Sequence, residues 1–218
     1  MKFNYIDRKN WAREEYFNHF LNNTRCTYSA TVNIDITELL TRLKLNNIKL
    51  YPALIYMIIT VVNKHNEFRM SFDKDGKLGY FSKVNPSYTV FHKETETFSN
   101  LWTEYDNSFS MFYKNYFSDI EKYKDINGIL GKKNQPDNIV PISDVPWVNF
   151  TGFNLNVYCD GTYLLPVFTI GKYIEENKKF LLPLSVQAHH AVCDGFHTCR
   201  LLTELQKMAS DCEKWLKS

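Results

Sequence analysis

The sequence lacks the features that place a protein in a membrane or on nucleic acid. No apolar run reaches the roughly 18–20 residues that span a bilayer, and residues 1–8 contain no apolar core of the kind found in signal peptides. The 26 basic and 24 acidic residues leave a net charge of only +2, and there is no long run of lysine and arginine. We therefore expect a cytoplasmic protein with no basic face for nucleic acid.

The spacings that indicate disulfides or structural zinc are also missing. The five cysteines are an odd number, and no two of them form a CxxC pair. This is not a disulfide framework, and reduced thiols in the cytoplasm are the simplest interpretation. The chain has no low-complexity linker, internal repeat or abrupt change of composition, so we predict one domain over residues 1–218.

Aromatic side chains are what the sequence has in excess. It contains 16 Phe, 14 Tyr and 4 Trp, which together make 16% of the chain. Such side chains either fill a large core or line pockets and interfaces. Composition alone does not choose between these two uses.

Apolar periodicity divides the chain into helices and strands. Residues 26–36 alternate cleanly between apolar and polar, which predicts a half-buried strand. Helices are predicted over residues 11–21, 37–45, 53–64, 106–124 and 196–217. Further strands are predicted over residues 68–72, 78–82, 88–95, 147–157, 163–171 and 180–189, with mostly loop over 128–146. Because strands and helices do not alternate strictly, the pattern predicts an α+β fold with a mixed, largely antiparallel sheet flanked by helices.

The segment over residues 184–197 carries the most chemistry, since a predicted strand runs there into a turn and then a helix. Successive strand side chains point to opposite faces, so only one of His189 and His190 can enter a given site. The residues leave three interpretations open: two structural histidines, a general base, or a zinc site. The zinc site would use His189, His190, Cys193, His197 and Cys199. Adjacent histidines diverge, however, and no HExxH spacing supports zinc. A nucleophilic Cys193 is disfavoured, because the neighbouring Asp194 opposes formation of the thiolate.

The same segment reads His189-His190-Ala191-Val192-Cys193-Asp194-Gly195, an HHxxxDG motif. The motif is characteristic of the coenzyme-A-dependent acyltransferase superfamily, and with the following Phe-His pair it resembles the trimeric chloramphenicol acetyltransferases. Further blocks of the resemblance occur in the right order along nearly the whole chain: NWAREEYF at 10–17, YPA at 51–53, YTVFH at 88–92, ETETF at 94–98, PW at 146–147 and FNLN at 153–156.

The resemblance implies a chloramphenicol O-acetyltransferase with acetyl-CoA as co-substrate, direct transfer in a ternary complex and no metal. His190 is then the general base that takes the proton from the primary 3-hydroxyl of chloramphenicol. Asp194 has a structural role in an ion pair with Arg13, although its position would also let it cap the following helix. Ser143 is expected to hydrogen-bond the tetrahedral oxyanion, and Thr169 to hold a water near it.

The resemblance also implies two binding regions and a homotrimer with active sites at the subunit interfaces. The expected acceptor pocket consists of Phe20, Cys26, Tyr28, Phe98, Phe153, Leu155 and Val167. The expected coenzyme-binding residues are Trp147, Tyr173, Lys49 and Lys172. Phe20 departs from the relatives that have a tyrosine there, and we expect it to weaken one polar contact with the drug.

Three alternatives remain open from the sequence. An acyltransferase of the same fold would use another acceptor, as a dihydrolipoyl acyltransferase core does, but the chain has no lipoyl domain or Pro/Ala-rich linker. A non-catalytic drug-binding protein is disfavoured by the presence of both His190 and Ser143. A zinc protein is the third alternative.

Overall fold

A computed structural model describes residues 2–157 and 159–218 of the chain. Its α-helices cover Glu14–Asn18 (α1), Thr37–Leu45 (α2), Leu50–Lys64 (α3), Phe109–Tyr123 (α4), Gly195–Ser210 (α5) and Glu213–Leu216 (α6). α1 continues into a π-helical turn over His19–Asn23, and short 3₁₀ turns lie at Arg8–Asn10, Asn66–Arg69 and Cys159–Gly161. None of the helices in these two ranges has the length and apolar character needed to cross a bilayer.

The β-strands form two sheets of different size. They cover Phe3–Tyr5 (β1), Thr27–Asp35 (β2), Met70–Phe72 (β3), Leu78–Phe81 (β4), Asn85–His92 (β5), Thr97–Trp102 (β6), Ile139–Val145 (β7), Val167–Gly171 (β8), Ile174–Glu176 (β9) and Lys179–His189 (β10). The small sheet has the order β1-β4-β3, and the large sheet has the order β2-β10-β8-β7-β5-β6 with β9 paired to β10. In the large sheet β7 is parallel to both β5 and β8, and the other pairs are antiparallel. This confirms the expected mixed, largely antiparallel sheet.

One face of the large sheet packs against helices and forms the core. Leu54 of α3 and Leu205 of α5 meet Ile170 of β8 and Leu184 of β10 there. α3 is buried nearly all round, as its apolar sequence predicts. Pro52 lies in its first turn, where the missing N–H costs nothing.

The opposite face carries a row of small hydroxyl side chains. In the sheet register Thr31 is opposite Ser185, Ser185 is opposite Thr169, and Thr169 is opposite Ser143. Directly opposed residues point to the same face, so the four hydroxyls share it. The chain around Phe153 lies over this face: the Ser185 hydroxyl donates to the Phe153 carbonyl at 2.6 Å, and the Phe153 N–H donates to the Thr31 hydroxyl at 3.4 Å.

The helix over 37–45 and the strand over 26–36 are confirmed, but several other boundaries were wrong. The strand predicted over 147–157 is irregular chain: the Phe153 backbone bonds to the hydroxyl row, and the Val148 carbonyl accepts from the Lys172 N–H, just beyond β8, at 3.0 Å. Tyr158, next to it, lies outside the described residues. The loop predicted over 128–146 contains the central strand β7, which Pro141 had obscured; β7 pairs with β8 only from Ile142 onward. Three more strands, β1, β6 and β9, were missed, and the last helix is interrupted between α5 and α6.

Candidate active site

His189 closes strand β10, and both of its ring nitrogens are hydrogen-bonded. Nδ1 accepts the Ala191 N–H at 3.1 Å, so the ring proton lies on Nε2, which donates to the Gly161 carbonyl at 3.1 Å. Burial lowers the pKa of His189, which favours the neutral ring. His189 therefore fastens the turn at Gly161 to the end of the strand and has no nitrogen left for chemistry.

The His190 ring differs from that of His189: one of its nitrogens is buried, and the opposite edge of the ring is open to solvent. The backbone N–H of His190 donates to the Cys26 backbone carbonyl at 2.9 Å. Its ring is stacked on Phe20, with centroids 3.8 Å apart and planes 4° apart, and meets Tyr28 edge-on at 5.3 Å. Nδ1 is buried without a hydrogen bond, 3.3 Å from Asp194 Oδ1, whereas the side chain as a whole is 29% exposed. The ring is thus fixed on two sides, and the remaining nitrogen, Nε2, is the one open to a ligand.

Arg13 holds the turn that carries His190. Its guanidinium grips the Asp194 carboxylate through two hydrogen bonds of 2.5 and 2.7 Å. The same group donates to the His190 carbonyl at 2.8 Å and to the Ala191 carbonyl at 2.9 Å. A planar fork of donors suits this task, which lysine cannot perform.

Asp194 joins this ion pair to the start of α5. The hydrogen-bonded Arg13 guanidinium holds the pKa of the Asp194 carboxyl below its usual value. Asp194 occupies the N-cap position of α5, and its backbone N–H donates to Nδ1 of His197 at 3.0 Å. The two roles considered for Asp194 from the sequence, ion pair and cap, are therefore both present.

Ser143 and Thr169 lie on a different part of the chain from His190. They are opposite each other on β7 and β8, and Thr169 is in turn opposite Ser185. His189 is four residues beyond Ser185 along β10, a distance of about 13 Å in an extended strand. Within one chain, therefore, neither hydroxyl is within hydrogen-bonding distance of the His190 ring.

The expected acceptor residues divide between the same two regions. Phe20, Cys26 and Tyr28 surround His190, and the Tyr28 hydroxyl lies 2.6 Å from the Thr198 hydroxyl. Burial raises the pKa of Tyr28 to about 12, so it stays protonated. The other four residues lie in the region of Ser143, either on the strands that share its sheet face or in the segment that covers the hydroxyl row: Phe98, Phe153, Leu155 and Val167.

Phe20 has a second role that its sequence context did not indicate. The π-helical turn that contains it places its ring flat on the His190 imidazole. Such turns are rare and occur often at functional sites. Phe20 therefore packs against one face of the His190 imidazole and is also a candidate contact for an acceptor.

Two of the expected coenzyme residues meet at a cavity of about 390 Å³. Lys172 and Tyr173 line it, together with Tyr51, Asp144 and several apolar residues from α3, β8 and β10. Lys49 and Trp147 do not line the cavity, but each is the immediate neighbour in sequence of a residue that does. Trp147 is 62% exposed, and its ring stands edge-on to Phe91 at 5.0 Å. Asp144 and Tyr51 were not predicted as site residues, and no local sequence signal identifies them.

A model of the family "Chloramphenicol acetyltransferase" matches residues 1–206 of the chain. A chloramphenicol acetyltransferase of Clostridium perfringens is 58% identical over 216 residues, which cover 99% of each chain. The chain belongs to the chloramphenicol acetyltransferase family. Among solved structures, a chloramphenicol acetyltransferase has a TM-score of 0.82 at 21% identity and covers 95% of this chain and 100% of its own. A dihydrolipoamide acetyltransferase of Azotobacter vinelandii has a TM-score of 0.70 at 17% identity, with 93% and 88% covered. Both likenesses show the acyltransferase fold, an α+β fold as expected from the sequence.

The geometry of this family member bears on the other chemistries considered from the sequence. Burial raises the pKa of Cys193 far above its usual value, and its thiol lies against the Glu67 carbonyl at 3.7 Å, which does not suit a nucleophile. Both nitrogens of His189 are occupied, so it has none to offer zinc. Within residues 2–157 and 159–218, no three His, Cys, Asp or Glu side chains are grouped as a metal site requires.

Proposed function

We propose that this protein transfers the acetyl group of acetyl-CoA to the primary 3-hydroxyl of chloramphenicol and so inactivates the antibiotic. The observation that carries the proposal is the His190 ring, which is stacked on Phe20 with Nδ1 buried and the opposite edge open. A base fixed in this way suits proton removal from an alcohol, which is too weakly acidic to react unaided near neutral pH.

The chemistry follows from the groups at the two regions. Nε2 of His190 takes the proton of the 3-hydroxyl as that oxygen attacks the thioester carbonyl, a step in which a positioned base contributes about 10²–10⁴ in rate. The oxyanion that forms accepts a hydrogen bond from Ser143, a contribution of about 10²–10³. Collapse of the tetrahedral intermediate breaks the C–S bond, and the proton on His190 passes to the departing thiolate. Transfer is direct, within a complex of both substrates, and Thr169 holds a water beside the intermediate.

The separation of His190 from Ser143 within one chain supports a homotrimer whose active sites lie between subunits. His190 with Phe20, Cys26 and Tyr28 from one subunit then faces Ser143 and Thr169 of a neighbour. Tyr88 is opposite Ile142, so it points to the face away from Ser143. Phe91, three residues further along β5, therefore points to the Ser143 face, and so does Phe98 opposite it; both are exposed. Exposed aromatic side chains on the same face as Ser143 suit a surface that another subunit covers.

The test is release of coenzyme A thiol from acetyl-CoA, measured with and without chloramphenicol on the unmodified protein. We expect rapid release that depends on the drug, and a product acetylated once at the 3-hydroxyl. Release that does not depend on the drug, or transfer only to another acceptor, would contradict the proposed substrate and leave the fold assignment intact.

A further inference from the structure

Asp144 is a carboxylate in the wall of the cavity described above, on the opposite face of β7 from Ser143. Successive strand residues point to opposite faces, and Asp144 is paired in register with Ile170, which belongs to the helix-covered core. Tyr51 and Leu54 of α3 lie across the cavity from the strands. An acidic side chain is unexpected at such a position, where its neighbours in the wall are mostly apolar.

The Asp144 carboxylate has no partner in the described part of the chain. No hydrogen bond and no ion pair reaches it from residues 2–157 or 159–218, although Lys172 lines the same cavity. The hydroxyl of Tyr51, another lining residue, donates instead to the Ile142 carbonyl at 3.3 Å. Burial, with no compensating cation, raises the pKa of Asp144 to about 6. Above that pH the folded protein keeps a partly buried charge that receives no hydrogen bond from the described residues, which is an unfavourable arrangement.

The charged side chains around the cavity match different parts of the proposed donor substrate, acetyl-CoA. Lys172 lines the wall, and Lys49 precedes the lining residue Leu50. These two cations suit the phosphates of coenzyme A, whereas a carboxylate repels them. The pantetheine arm of the coenzyme is uncharged and carries amide N–H and hydroxyl donors, which are the groups that an unpartnered carboxylate requires.

We propose that Asp144 accepts a hydrogen bond from an N–H or O–H group of the pantetheine arm and thereby selects and orients the acyl donor. The inference rests on the proposed function, because it assigns the cavity to coenzyme A. Asp144 is a donor-binding residue: it contributes to affinity for coenzyme A, and the proton transfer stays with His190.

The test compares Asp144→Ala and Asp144→Asn with Lys172→Gln, using two donors of different length. Acetyl-CoA carries the whole coenzyme, and S-acetylpantetheine carries the arm without the nucleotide. Loss of a hydrogen bond to a charged acceptor predicts that Asp144→Ala raises KM for both donors by about tenfold or more, with kcat within about twofold of the unmodified protein. Lys172→Gln is expected to raise KM for acetyl-CoA and to leave KM for S-acetylpantetheine unchanged.

Direct titration of coenzyme A by calorimetry, together with thermal unfolding, separates a binding role from a structural one. The Kd for coenzyme A should rise in both Asp144 variants, more in Asp144→Ala than in Asp144→Asn, which keeps one acceptor oxygen. The thermal midpoint of Asp144→Asn at pH 7.5 should rise, because an unpartnered charge has been removed. If Asp144→Ala does not fold, the isosteric Asp144→Asn alone decides the outcome.

Three results would overturn the inference. Unchanged KM and Kd in both variants would place Asp144 outside the donor site. Tighter binding of coenzyme A by Asp144→Asn would mean that the carboxylate repels the coenzyme. An effect seen with acetyl-CoA but not with S-acetylpantetheine would place Asp144 at the nucleotide end. If the unmodified protein neither binds coenzyme A nor releases thiol, the proposed function itself fails, and the inference fails with it.

Discussion

Two aspartates in this protein lie in opposite electrostatic surroundings. Asp194, in the turn after β10, is gripped by the Arg13 guanidinium, which lowers its pKa. Asp144, in the wall of the cavity beside Lys172 and Tyr173, has no partner in the described ranges, and burial raises its pKa to about 6. The first carboxylate holds a turn together, whereas the second is left with unused acceptor capacity.

The contrast extends to the regions around the two carboxylates. In the turn, the ring of His189 and the guanidinium of Arg13 have their hydrogen-bond partners inside the chain, and the open edge of His190 is the exception. On β7, the hydroxyl of Ser143 makes no hydrogen bond within residues 2–157 and 159–218, and neither does the Asp144 carboxylate. Buried or half-buried polar groups are normally paired. We infer that a ligand or a second subunit completes Ser143, Asp144 and the open edge of His190, so replacing them should change activity more than stability.

The largest effect is expected at the one open group of the turn. His190→Ala should lower kcat by about 10²–10⁴, because the proposed general base is lost. The free energy of unfolding should fall by only about 1 kcal/mol, the value of the stacking on Phe20. Acetyl transfer measured by thiol release, and urea unfolding, check the two parts of the prediction.

His189→Ala is the matched control for that variant. It removes both ring hydrogen bonds, so its free energy of unfolding should fall by about 2–3 kcal/mol. A His190→Ala enzyme that keeps a tenth of its turnover would exclude His190 as the base. Equal destabilisation of the two variants would remove the distinction between partnered and unpartnered groups.

The next largest effect concerns Ser143. Ser143→Ala should lower kcat by about 10²–10³ through loss of the proposed oxyanion donor, with little change in stability. Mixing subunits then tests whether sites lie between subunits. After joint refolding of equal amounts of Ser143→Ala and His190→Ala chains, about one quarter of the sites should combine an intact His190 with an intact Ser143 of the neighbour.

Activity of the mixture would thus recover to about one quarter of the unmodified level, far above either variant alone. Each variant refolded separately, and the two mixed after refolding without exchange, serve as controls. A mixture no more active than its parts would rule out sites shared between subunits.

A third variant tests the partnered carboxylate. Asp194→Asn should lower the free energy of unfolding by about 1–3 kcal/mol, less than for a fully buried pair because the Asp194 side chain is partly screened by solvent. Since the pKa of Asp194 is lowered in the folded protein, its stabilisation is present above the pKa of the unfolded chain and disappears as the pH falls through the folded value.

Urea unfolding of this variant and the unmodified protein between pH 3 and 8 should therefore give curves that converge in acid. Arg13→Lys is the companion variant: it keeps the positive charge but loses the planar fork, so it should be destabilised as well. Curves that stay parallel down to pH 3 would contradict an ion-pair role for Asp194.

Much of the turn could be predicted from sequence, and much of the cavity could not. The alternation over 26–36 and the HHxxxDG motif are local patterns, and the structure confirms the strand and the helix over 37–45. Strand β7 escaped prediction because Pro141 and the polar residues near it are typical of loops. The segment 147–157, predicted as a strand, is chain laid over the hydroxyl row, where the Phe153 backbone bonds to Thr31 and Ser185. Asp144, Tyr51 and Lys172 line one cavity only because three segments distant in sequence pack together in the fold. Neither the periodicity nor the spacing of the sequence predicts that packing.

The smallest expected effect separates the two carboxylates by the sign of their pH dependence. Because the pKa of Asp144 is raised to about 6, the folded state prefers its protonated form, and the charge destabilises the fold increasingly as the pH rises from about 4 through 6. Asp144→Asn should therefore be more stable than the unmodified protein by about 1–2 kcal/mol above pH 6, a gain reduced by partial exposure to solvent. The gain should vanish below about pH 4, where the carboxyl is protonated in both states. Unfolding of the two proteins across this range, without coenzyme A, measures the difference directly. A loss of stability at neutral pH would mean that Asp144 has a partner after all, and the two aspartates would then be alike.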